Sequence, residues 1–112
     1  MWLGAAAVEL HVHASQSLKE KRGVVRSISQ RLRNHFNVAV AEVGGQGTWQ
    51  RAVLGLAVVG GDAVVLRRVL EEAVDFIENL HLAELLNSEI EIFAPDGEAG
   101  NAANSGDFDA LD

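Results

Sequence analysis

The sequence predicts an α+β fold of the ferredoxin-like type, β-α-β-β-α-β, with a four-stranded antiparallel sheet and two helices on one of its faces. Three observations predict it. Four segments alternate apolar and polar residues with a period of two. Two longer segments carry an apolar stripe at helical spacing. Their order along the chain lets both helices cover the same face of one sheet. Right-handed crossovers then place the first and third strands in the centre.

The first strand is expected over 4–14, where Val8, Leu10 and Val12 alternate with Ala7, Glu9, His11 and His13. The first helix is expected over 18–35. Ser17 and Glu20 have the S-x-x-E spacing of a capping box, and Leu18, Val25, Ile28 and Leu32 share one face. The second strand, 37–43, has an ambiguous register: Val38 and Val40 lie on one face and Val43 on the other. GGQG at 44–47 is a connection. The third strand, 49–59, turns Ala52, Leu54, Leu56 and Val58 one way, and Trp49, Arg51, Val53, Gly55 and Ala57 the other. Gly60 and Gly61 end it, and Asp62 is placed to cap a second helix over 63–80. That helix carries Leu66, Val69, Leu70, Ala73, Phe76, Ile77 and Leu80 as its stripe, with Arg67, Glu71, Asp75 and Glu78 toward solvent. A fourth strand over 85–93 alternates Ile90 and Ile92 against Glu89, Glu91 and Phe93.

A chain of 112 residues is one domain at most. Residues 1–94 are read as the folded body. Residues 95–112, rich in Gly, Ala, Asn and Ser with five acids and no base, are read as a disordered acidic tail. The absence of cysteine leaves no disulfide framework and fits a reducing cytosol, so a cytoplasmic protein is expected. The apolar stretch Trp2–Val8 is short, no basic residue precedes it, and nothing approaches a membrane span.

Charge is unevenly placed. The formal net charge is -7, yet six of the nine Lys and Arg residues lie between Lys19 and Arg33. Residues 1–60 sum to +4 and residues 61–112 to -11. On a helix, Lys19, Arg22, Arg26 and Arg33 fall within a sector of ~60° and a length of ~21 Å, enough to meet successive phosphates of RNA. A solvated face kept soluble by charge is the alternative. The sheet face away from the helices offers Trp49 and Arg51, with His11 and His13 beside them, for stacking unpaired bases. Its remaining residues, Ala5, Ala7, Gly55 and Ala57, are small and equally suit sheet-on-sheet packing in a homodimer.

His11 and His13 share a face with Glu9, and Glu89 or Glu91 is expected across from them. This is the raw material of a zinc site, although surface histidines paired with carboxylates are the favoured reading, and no metal or cofactor is expected. GGQG lacks the Lys-Ser/Thr of a phosphate-binding loop, and no nucleophile–base pair can be assigned, so no enzymatic activity is expected. Phe108 and Leu111 could serve as a short docking peptide, and the acidic tail could fold over the basic helix.

SLKEKRGVVRS at 17–27, FNVAVAEVG at 36–44 and WQRAVLGLAVVGGD at 49–62 together resemble the bacterial YlxP-like family, catalogued as domain of unknown function 503. The resemblance runs from about Val8 to Phe93. It implies a ferredoxin-like fold and no established activity. Members are often encoded beside translation initiation and ribosome-maturation factors, which implies a role near the ribosome. The family-like positions suited to binding RNA or ribosome are Lys19, Lys21, Arg22 and Arg26, with Trp49 and Arg51. The chain departs from the family in Gly23, inside the first helix, and in its acidic tail. A protein–protein adaptor or homodimeric module without RNA remains the alternative.

Overall fold

The computed structural model describes residues 1–13 and 15–95. The acidic segment expected to be disordered, Pro95 apart, lies outside the described residues, as do Phe108 and Leu111. The element order is β1 (Trp2–His11), α1 (Leu18–His35), β2 (Ala39–Gly44), β3 (Arg51–Gly60), α2 (Ala63–Leu80) and β4 (Glu84–Phe93). All neighbouring strands are antiparallel, in the spatial order β2-β3-β1-β4, so β1 and β3 are central as expected.

Side-chain alternation drives the layering. Val8 and Leu10 of β1, and Ala52, Leu54 and Leu56 of β3, are buried on the face that both helices cover. Val25, Ile28 and Leu32 of α1 and Leu66, Leu70, Ala73 and Ile77 of α2 meet them there in one core. Each helix starts on its expected cap. Ser17 Oγ accepts from the Glu20 amide at 3.1 Å, and Asp62 Oδ1 accepts from the Val64 and Val65 amides at 2.9 and 3.3 Å. No helix among the described residues is long and apolar enough to cross a membrane.

Several strand boundaries differ from expectation by one to three residues, and those of β1 and β3 bear on the site. β1 begins at Trp2, which pairs with Gly60, and ends at His11, so His13 lies beyond the strand. At the other end of the sheet from His11, Leu3 pairs with Phe93 of β4. β3 begins at Arg51 rather than Trp49. A turn intervenes, closed by the Thr48 amide donating to the Gly45 carbonyl at 3.0 Å, with Gly45 at φ 78°. A Cβ at Gly45 would lie 2.6 Å from the Arg51 carbonyl oxygen, so glycine is required on both counts. The ambiguity of β2 is resolved by an irregularity between Glu42 and Gly44. Val40 is buried on the helix side, while Val43 projects over Gly55 on the open face.

Candidate functional site

Lys19, Arg22 and Arg26 stand exposed along one side of α1, and among the described residues none of them has a carboxylate within ion-pairing distance. They sit one and two turns apart, over ~10 Å of helix. Arg33 continues the line but is partly committed, with Nη2 donating to the Val40 carbonyl at 2.8 Å.

Lys21 does not belong to this surface. Only 1% of it is exposed. Its ammonium donates to the Gly45 carbonyl at 2.6 Å and the Arg51 carbonyl at 3.2 Å. It also lies 3.0 Å from Glu42 Oε2, off the hydrogen-bonding direction, so that contact is electrostatic, and among the described residues Oε2 has no hydrogen-bond partner. Lys21 therefore ties α1 to the β2–β3 turn, and the expectation that it grips phosphate is corrected: a phosphate cannot reach an ammonium buried under its own chain. The signal was available, since Lys21 occupies the gap in the apolar spacing between Leu18 and Val25.

Trp49 and Arg51 are not the pair expected on the sheet. Trp49 is 49% exposed in the turn before β3, where it lines a shallow cleft with Leu18, Gly47 and Thr48. The indole thus sits beside the N-terminal turn of α1 instead of on the open face. Arg51 does face that side, but its Nε donates to Glu9 Oε2 at 2.7 Å, which occupies it. The open face otherwise presents Ala5, Ala7, Gly55 and Ala57 as expected, and Val43, Glu89 and Glu91 join Ala5, Ala7 and Gly55 around a groove of about 560 Å³.

His11 and His13 come together with their ring centroids 4.0 Å apart. Their carboxylate is neither Glu89 nor Glu91. Those two pair with Ala7 and Ala5, whereas a bulge between Glu9 and Leu10 brings Glu84 opposite His11. Glu84 Oε1 makes a short contact with His13 Nε2.

Among known proteins, the family described as "Protein of unknown function (DUF503)" matches residues 3–90. "Uncharacterized protein YlxP" of Bacillus subtilis (strain 168) is 39% identical over 77 residues, which cover 69% of this chain and 84% of that relative. Among solved structures, a point mutant of SnoaB, a cofactor-independent oxygenase from Streptomyces nogalater, aligns with a TM-score of 0.48 at 13% identity, over 88% of this chain and 98% of that one. A likeness of that size transfers no activity.

Proposed function

We propose, from the premise that the chain belongs to the DUF503 family of proteins of unknown function, that it is a cytoplasmic accessory protein that holds RNA, such as that of the ribosome, by its phosphates. The observation that carries this reading is the exposed line of Lys19, Arg22 and Arg26 on α1, free of carboxylate partners among the described residues in a chain of net charge -7. Unpaired cations on a rigid helix keep their full attraction for an anion, because no intramolecular pair has to be broken first. Exposed Trp49, beside the start of the same helix, supplies a face on which one unpaired base could stack.

The test is co-sedimentation with purified ribosomal subunits, and titration of single-stranded RNA, across a range of salt. Three phosphate contacts imply a log–log salt slope of about -2.1. The Arg22→Glu/Arg26→Glu variant should lose the binding. Wild-type protein that fails to bind at low salt, or binds with a slope near zero, overturns the reading.

A second reading rests on a different surface. The open sheet face exposes Ala7, Ala57, Val43 and Val59 on central and edge strands, so a second copy of the chain could approach it closely. It requires a dimer, and the two readings are compatible.

A further inference from the structure

The geometry points to a binding site for a divalent transition metal ion, probed here as zinc, held by His11, His13 and Glu84. One ligand atom from each of the three lies within 4.8 Å of the other two. Ions of this class bind imidazole nitrogen and carboxylate oxygen at ~2.0–2.2 Å, so small rotamer adjustments bring all three donors to one centre. Two imidazoles and one carboxylate form a donor set that leaves a tetrahedral ion one open position. The chain has no thiolate to compete for a softer metal, and imidazole does not suit calcium or magnesium.

Three further features agree. First, Nδ1 of His11 is buried and has no hydrogen-bond partner among the described residues, an unfavourable state that a bound ion would relieve. Second, the local charge favours a cation. The guanidinium of Arg51, which pairs with His11 from β3, is already neutralised by Glu9 at 2.7 Å. Third, His13 and Glu84 also line a cleft of about 570 Å³ with Glu78, His81 and Leu82, so space for water or a small ligand adjoins two of the three donors. The bulge between Glu9 and Leu10 sets Glu84 opposite His11, and bulges commonly re-aim a side chain next to a functional site.

The experiment is titration of the full, tag-free chain with zinc against a competing chelator. Four proteins are compared: wild type, His13→Ala, Glu84→Gln, and His35→Ala, the last altering a ring that stacks on Phe76. One equivalent should bind the wild type, and the first two variants should bind at least ~100-fold more weakly, since losing even an outer-shell partner typically costs 10–100-fold. His35→Ala should bind as the wild type does. The side chains of His13 and Glu84 are 66% and 53% exposed, so both variants should fold. As a measurement independent of any variant, the ring signals of His11 and His13, and not those of His35, should move on adding zinc to the wild type. No stoichiometric binding by the wild type, equal loss in His35→Ala, or zinc-induced shifts spread over all the histidines overturns the proposal.

Discussion

Lys21 shows how one buried side chain couples distant parts of this chain. Its ammonium meets the carbonyls of Gly45 and Arg51 and the carboxylate of Glu42, which joins α1 to both ends of the turn that separates β2 from β3. Removing one partner of a buried charge pair typically costs ~3–5 kcal/mol, because the other is left unpaired. Lys21→Met should therefore lower the urea midpoint by the equivalent of ~3 kcal/mol at an unchanged m-value, while leaving RNA affinity as it was. A weakened affinity with intact stability would instead return Lys21 to the phosphate surface. Its burial was legible in the sequence. At 100° per residue, Lys21 falls between Ile28 and Val25, in the middle of the apolar stripe. A charge at a core angle is a tether rather than a surface group. The pairing of Glu84 with His11 and His13 was not legible, because it depends on a bulge that shifts the β1–β4 register, and no periodicity within one strand encodes its alignment with another.

At the scale of elements, α1 carries an avoidable cost. Gly23 is exposed inside the helix, and a Cβ there would meet nothing within 4 Å. Gly23→Ala should stabilise the protein by up to ~1 kcal/mol, read as a raised thermal midpoint. α2 ends on His81 with φ 55°, a left-handed conformation that a side chain disfavours and glycine accepts. His81→Gly should likewise raise the midpoint by up to ~1 kcal/mol, and an unchanged midpoint would show that the imidazole's contacts in the cleft offset the backbone cost. The extent of α1, the caps of both helices and the inward face of β3 were all legible, because each rests on local spacing. The start of β3 was not. Trp49 continues the alternation of Arg51 and Val53, but the ladder ends where the Gly45–Thr48 turn closes, and alternation cannot show where pairing stops.

At the scale of the whole molecule, the helices cover one side of the sheet and leave the other bare. If two copies pack there, sedimentation equilibrium should give a dimer, and Ala57→Glu, which would bury a charge at the centre of such an interface, should return a monomer. A wild-type monomer at all concentrations removes that reading and leaves the α1 surface untouched. The order β2-β3-β1-β4 has another consequence. Leu3 and Phe93 are cross-strand neighbours, as are His11 and Glu84 at the opposite end, ~26 Å away. The start of β1 and the end of β4 thus lie side by side, remote from the histidine cluster. A short glycine–serine bridge from Ala94 to Trp2, with the backbone opened between Gly47 and Thr48, would leave every strand beside its present neighbours. Such a circular permutant should give amide correlation spectra superimposable on the parent outside the new joints, because the fold depends on who lies next to whom and not on which residue is translated first.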